Sequence, residues 1–336
     1  MTKGPAYRYA PILSIQALCR ALGCNEPFLR SLAERASGMY IGPKPMQKKS
    51  GGIRFVYDTK HPLKDVLKKV NRVFFKKTHY PTYLTGSLDG RDYSTNAGIH
   101  AGATGAITED ISQFFPSITA DMVYEIWTKL FRFGHEPAML LTALTTKDGV
   151  VFQGTPTGSY IANLVFWSTE HIVVEKLQSL NIRYSRYVDD VTLSKASTLS
   201  LDEKTWAISQ IYSMIGAQGF KPKREKHGIL SGKGAIKIMG LNANAKVSLP
   251  RKERSLIRAK VHALEKRFES GEIDFSFRTE LNKVSGVVGK MSRFHKHEAS
   301  QLRGRINVIR RSIELIPIIT IGSQYPRTVL PQDVQN

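Results

Sequence analysis

The sequence predicts an α+β fold, with a central α/β region between two basic lobes. Three observations carry this reading. A strand–turn–strand pattern lies at residues 182–194, an apolar strand at 105–111 precedes it, and positive charge gathers at 42–80 and again beyond Pro250. The 336 residues leave room for about two domains or one multi-lobed enzyme, and 41% apolar against 23% charged residues excludes a disordered chain.

The elements follow in order. Residues 12–22 and 26–36 read as short helices broken at Gly23-Cys24-Asn25. Residues 42–52 read as a loop rich in Pro, Gly and Lys, with a strand at 53–57 after it. Pro62 opens a basic helix to about Lys77, at the first helical position where its missing N–H costs nothing. Behind the strand at 105–111 comes a helix over 119–131 with Thr119 as its N-cap. A long helix at 158–180, a hairpin at 182–194, an amphipathic helix at 201–217 and short strands to about Ser248 complete the centre. The boundaries drawn are an N-terminal helical extension 1–40, then 41–104, 105–249, 250–320 and a C-terminal tail 321–336.

Lys and Arg number 49 against 28 Asp and Glu, a net charge of +21 and a pI of about 9.9. Eleven of these cations lie between Gly42 and Tyr80, against Asp58 and Asp65 alone, and residues 251–311 carry a net +9. An excess of a few charges is a solvated surface. One this large points to nucleic acid, because each phosphate neutralised releases condensed counterions. Cys19 and Cys24 are too few for a disulfide framework, and no further zinc ligands cluster near them. No apolar stretch is long enough to span a bilayer and no secretory signal opens the chain, so a cytoplasmic location without membrane contact is expected.

The chemistry is expected at the centre. Ile182 to Ser194 reads as a tight hairpin whose two-residue turn is Asp189-Asp190. Turns accept Asp readily, so the pair alone also fits an ordinary hairpin. Asp110, near the end of the buried strand, adds a third carboxylate, although by itself it also fits a cap on the following turn. Buried together, three acids are costly without cations. Two Mg²⁺ ions held by them can activate an attacking 3′-hydroxyl and stabilise the leaving pyrophosphate, with substrate phosphates filling the coordination.

These residues resemble a family. Tyr187-Val188-Asp189-Asp190 is similar to the Tyr-X-Asp-Asp signature of reverse transcriptases, and Asp110 with Phe114-Phe115-Pro116-Ser117-Ile118 to their first catalytic motif. Gln153-Gly154-Thr155-Pro156-Thr157-Gly158-Ser159-Tyr160-Ile161-Ala162-Asn163 resembles the Gln-Gly-X-Pro-X-Ser-Pro-X-X-Ala-Asn nucleotide-pocket motif. Gly219-Phe220 followed by Lys226 resembles the palm segment whose lysine approaches the triphosphate, and Lys48 to Asp58 the fingers motif Lys-X-Gly-Gly-X-Arg. Asn96-Ala97-Gly98-Ile99-His100 fits the Asn-Ala-X-X-His element of bacterial retron-type reverse transcriptases. The chain departs from the pattern at Gly158-Ser159 (usually Ser-Pro), Lys223 (Asn), His227 (Thr) and Ile238-Met239-Gly240 (Val-Thr-Gly).

The resemblance implies a right-hand polymerase fold: fingers at 41–104, a palm of antiparallel sheet plus helices, with inserted fingers elements, at 105–249 and a helical thumb at 250–320. It implies that Asp110 and Asp189 bridge two Mg²⁺ ions with the carbonyl of Ile111, while Asp190 binds metal more loosely. Arg54, with Lys48 or Lys49, would grip the dNTP triphosphate, Phe115 would sit under its sugar, and Gln153 and Gly154 would pack against it. Lys226 would give a proton to pyrophosphate, or simply neutralise phosphate. Asn96 and His100 would contact template or structured RNA, unless they are satisfied within the core. Arg251, Lys252, Arg254 and Arg258 would track the duplex backbone. The implied partners are a structured noncoding RNA serving as template and primer, its branched RNA–DNA product (msDNA) and a separate effector protein in antiphage defence. A defence-associated or group II intron-like reverse transcriptase, and a non-catalytic RNA-binding scaffold on a polymerase fold, are the alternatives.

Overall fold

A computed structural model of the chain describes residues 3–47, 51–231 and 234–314. The chain divides into two units, Met1–Ser248 and Leu249–Asn336. In the first, Ser14 and Asn25 cap α1 (Ile15–Leu22) and α2 (Glu26–Glu34), and Gly23 ends α1 at φ 61°. Residues 42–47, expected as loop, are instead part of β1 (Tyr40–Gln47), paired antiparallel with β2 (Ile53–Thr59). Prolines argue against a strand because they cannot donate. In this two-stranded ribbon Pro43 falls in the register shift between Ile41 and Lys44, and both strands are edges.

Pro62 caps α3 (Leu63–Val73) rather than entering it, and a 3₁₀ turn over Phe75–Lys77 follows. A capping box at Asp92 starts α4 (Tyr93–Ile99). The spine of the unit is β3 (Gly105–Ser112), buried at six of its eight positions, so that both faces are covered. Thr119 caps α5 (Ala120–Glu125), but the helix expected to reach residue 131 widens into a π-helical turn at Ile126–Leu130. That turn seats Trp127 between Phe75 and Phe131, with ring centroids 5.0 and 4.8 Å away. Then comes α6 (His135–Thr145).

The single helix expected over 158–180 is two, α7 (Gly158–Leu164) and α8 (Glu170–Ser179). No residue of 165–169 forbids a helix; the break is tertiary. The buried Arg186 guanidinium takes the carbonyls of Ala162 and Asn163 and the carboxylate of Glu170. The chain continues through β4 (Arg183–Tyr187), β5 (Asp190–Lys195), α9 (Leu201–Ala217), β6 (Lys221–Pro222), β7 (Gly228–Ser231), β8 (Lys237–Ile238) and β9 (Leu241–Asn242). The central sheet runs β4-β5-β3-β6, and β7 also pairs with β3. Both β6 and β7 lie along β3, at Ile111–Ser112 and at 105–108, so residues 223–227 loop out beside Glu109 and Asp110.

The second unit holds α10 (Arg251–Glu269), α11 (Phe275–Ser292) and α12 (Lys296–Glu314). Ile257, Val261, Leu264, Phe277, Val288 and Ile306 form its buried interior. Among the described residues, no helix is long and apolar enough to cross a membrane.

Candidate active site

Asp110 faces Asp190 directly across the β3–β5 ladder, and the Ile111 N–H donates to the Asp189 carbonyl at 3.1 Å. The hairpin turn lies one residue earlier than expected. Tyr187 pairs with Asp190, which begins β5, so the two turn residues are Val188 and Asp189. Val188 adopts φ 61°, a left-handed conformation that a β-branched residue strongly disfavours. Gly86 closes over it: a Cβ at Gly86 would lie 2.6 Å from both the Val188 nitrogen and its Cγ2.

Asp110 is only 4% exposed. Burial, then the charges of Asp189 and Asp110, push the Asp190 carboxyl up to about 7. The Lys226 ammonium bonds to the Asp110 carboxylate. Burial pulls its pKa down, but that bond and the nearby Asp190 and Asp189 outweigh burial and raise it. Among the described residues, no three acidic, His or Cys side chains converge into a ready-made cation cage. The all-oxygen donors and mutual repulsion nevertheless fit a hard divalent cation that draws further ligands from substrate phosphates. Opposite Ile111 on β6 stands Pro222, which has no N–H.

The looped-out segment is held to β3 by backbone and by side chain. Lys223 N–H donates to the Asp110 carbonyl at 2.7 Å. Nδ1 of His227 lies 2.6 Å from Oε1 of buried Glu109, whose Oε2 accepts from the Tyr212 hydroxyl at 3.2 Å. So where the family has Thr, His227 is tied down beside Lys226. Glu109 was not among the expected site residues; an acid inside an apolar strand next to Asp110 was its signal.

A cleft of about 1370 Å³ brings together Arg54, Asp110, Ile111, Phe115, Gln153, Asp189, Asp190 and Lys226 along its walls. Lys48 and Lys49 lie outside the described residues. Gly154, expected against the nucleotide, is not on the wall; it meets β2 instead. Tyr57 N–H donates to the Gln153 carbonyl at 2.8 Å, and a Cβ on Gly154 would fall 2.5 Å from the Tyr57 oxygen. Gly158 replaces the usual Ser for a packing reason, since a Cβ there would lie 2.6 Å from the Phe152 carbonyl oxygen.

Asn96 and His100 do not contact RNA: both are fully buried. Asn96 Nδ2 donates to Thr85 Oγ1 (2.7 Å) and Ser185 Oγ (2.9 Å). His100 bridges Ser194 and Ser185, each ring nitrogen 2.7 Å from a hydroxyl oxygen. The Asn-Ala-X-X-His element therefore braces the back of the hairpin. Burial, then the charge of Arg183, pushes His100 from 6.5 down to about 3. Below pH 6.5 the unfolded chain binds a proton that the folded protein refuses until about pH 3, so stability falls as pH drops across that window. His100→Gln should lose about 1–3 kcal/mol at pH 7 yet show a shallower decline towards pH 4, read from urea midpoints. Equal slopes for the two proteins would remove this role.

In the second unit Arg251 and Lys252 are exposed, whereas Arg254 and Arg258 both bind Glu298, Arg254 through Nε at 2.9 Å. Both guanidiniums keep solvent-facing surface beside that carboxylate, 35% for Arg254 and 44% for Arg258.

Carboxylates facing each other across a strand pair, beside a large open cleft in a strongly basic chain, fit the chemistry of template-directed polymerases. The retron Se72 reverse transcriptase of Salmonella heidelberg is 32% identical over 91% of this chain and 82% of its own length. The retron Ec48 reverse transcriptase of Escherichia coli is 28% identical over 90% and 77%. The chain belongs to the retron reverse transcriptases and is an RNA-directed DNA polymerase. No protein-family model matches it. Among solved structures, telomerase from Candida albicans with a fragment of telomeric RNA is 11% identical at a TM-score of 0.45, covering 87% of this chain and 66% of that one.

Proposed function

We propose that the protein copies one structured noncoding RNA into DNA, extending from an internal 2′-hydroxyl to give a branched RNA–DNA. The observation that carries the polymerase chemistry is the apposition of Asp110 and Asp190 on β3 and β5, with Asp189 in the adjoining turn. Asp110, Asp189, the Ile111 carbonyl and, more loosely, Asp190 would hold two Mg²⁺ ions. Bound there, the ions supply charge neutralisation and a more acidic attacking hydroxyl. Arg54 grips the triphosphate of the incoming dNTP, and Gln153 borders its pocket. Lys226, already hydrogen-bonded at the carboxylates, is placed to pass a proton to departing pyrophosphate. Residues 41–104 act as fingers, 105–249 as palm and 250–320 as thumb, where Arg251 and Lys252 offer charge to the duplex. The family resemblance alone supports a separate effector and a part in antiphage defence.

The test is the nucleic acid that copurifies after expression with the native flanking DNA. RNase digestion should leave one short DNA species bearing a ribonucleotide branch. A heterogeneous, unbranched pool removed by high salt counts against the reading, since a chain of charge +21 retains nucleic acid unspecifically.

Phe115 sets the sugar preference. It lines the cleft and is 7% exposed, five residues beyond Asp110; the family resemblance puts an aromatic ring there under the sugar, where it would leave no room for a 2′-hydroxyl. Phe115→Ala should lower the dNTP-to-rNTP ratio of kcat/KM by about tenfold to a hundredfold. An unchanged ratio makes Phe115 a core residue only.

A further inference from the structure

Arg186 stands immediately before the Tyr187-Val188-Asp189-Asp190 segment and is fully buried. All five of its guanidinium N–H groups are used. Nε and one Nη2 hydrogen go to the Glu170 carboxylate at 2.6 and 2.8 Å, and the other Nη2 hydrogen to the Asn163 carbonyl at 2.9 Å. Nη1 donates to the carbonyls of Val188 (3.0 Å) and Ala162 (3.1 Å). Glu170, itself fully buried, also accepts from the Tyr184 hydroxyl at 2.6 Å, and the Phe166 ring lies 5.2 Å from the guanidinium carbon. Desolvation offsets most of the attraction in such a pair, so stability alone does not account for it. What the pair does is join three pieces: the hairpin turn, the C-terminal carbonyls of α7 that lack helical partners, and the N-terminus of α8, where a carboxylate is favoured.

We propose that Arg186, anchored by Glu170, is the positioning residue that holds the Val188–Asp189 turn in its metal-binding conformation. The inference rests on reading the cleft as the polymerisation site. Val188 is strained at φ 61°, so the turn gains by relaxing unless it is held. Arg186 holds its carbonyl from within and Gly86 blocks it from without. Asn163 belongs to both clamps, its carbonyl bound by Arg186 and its Nδ2 donating to the Gly86 carbonyl at 2.8 Å. Once released, Asp189 loses its fixed place beside Asp110.

Two variants test this. Arg186→Met combined with Glu170→Leu removes the pair without stranding a buried charge. Gly86→Ala presses the turn from the opposite side, and because Gly86 does not use a positive φ the perturbation is steric. Mn²⁺ binding is read from the free-ion EPR signal with an RNA–DNA primer-template present, and extension is titrated against Mg²⁺. Both variants should keep the wild-type circular dichroism and RNA affinity, bind Mn²⁺ about tenfold to a hundredfold more weakly, and need correspondingly more Mg²⁺ for half-maximal extension. A folded variant whose Mn²⁺ affinity stays within about twofold of wild type overturns the proposal, because a purely structural pair would leave metal affinity alone. If the double variant loses its fold, Gly86→Ala decides by the same criterion. A wild-type protein that fails to extend a primer defeats the polymerase reading instead, while the Mn²⁺ comparison still tests the turn.

Discussion

Replacing Asp189 by Asn should abolish DNA synthesis, by at least about a thousandfold in kcat, or roughly 4 kcal/mol of transition-state stabilisation. Asn keeps the size and turn preference of Asp, so the Val188–Asp189 turn and the Ile111 N–H bond to the residue 189 carbonyl stay in place. What is lost is one negative charge at the point where charge is needed to hold cations. RNA affinity should change by less than about threefold, because the carboxylates repel phosphate and binding comes from the net +21. Single-turnover primer extension and a filter-binding titration at one fixed salt concentration separate the two effects. Ordinary extension by Asp189→Asn with Mg²⁺ supplied would falsify the assignment of the cleft.

Much of this site is legible before any coordinates. The apolar run of β3 and the alternation through 182–194 place Asp110 on a strand beside a hairpin whose turn region carries Asp189 and Asp190, and motif order supplies the rest. What is not legible has physical reasons. Val188 reads as a strand residue, because its positive φ is fixed by tertiary neighbours, Gly86 about a hundred residues earlier and the Arg186 guanidinium on its carbonyl. The split between α7 and α8 is written in Arg186, not in residues 165–169, and a lone Arg in a strand is normally read as an edge residue. Pro43 and Pro45 hide β1, since a ribbon with two edges tolerates what a central strand does not. The Asn96 and His100 pair announces polarity and says nothing of which side it faces. Here Ser185 and Ser194 take it up inside the core, which turns an expected RNA contact into a brace.

Gly154→Ala should produce the other large effect, this time on nucleotide binding. Gly154 sits at φ 98°, where an L-residue pays about 1–3 kcal/mol, and the added Cβ would lie 2.5 Å from the Tyr57 oxygen and 3.3 Å from its nitrogen. Tyr57 is backbone in β2 and cannot rotate aside. The loop must therefore withdraw from the ribbon, breaking the 2.8 Å bond between Tyr57 N–H and the Gln153 carbonyl. Gln153 and Arg54 line the same cleft from these two elements, so their spacing changes together. The dNTP KM should rise about tenfold or more, while kcat at saturating dNTP falls much less, because β3 and the Asp189 turn are untouched. Gly149→Ala is the control. Its φ is 80° but its Cβ would meet nothing within 4 Å, so it carries the backbone cost without the collision. Equal dNTP KM values for the two variants would mean that Gly154 serves backbone geometry alone. A rise confined to Gly154→Ala would make the contact between the ribbon and the pocket loop a determinant of nucleotide affinity.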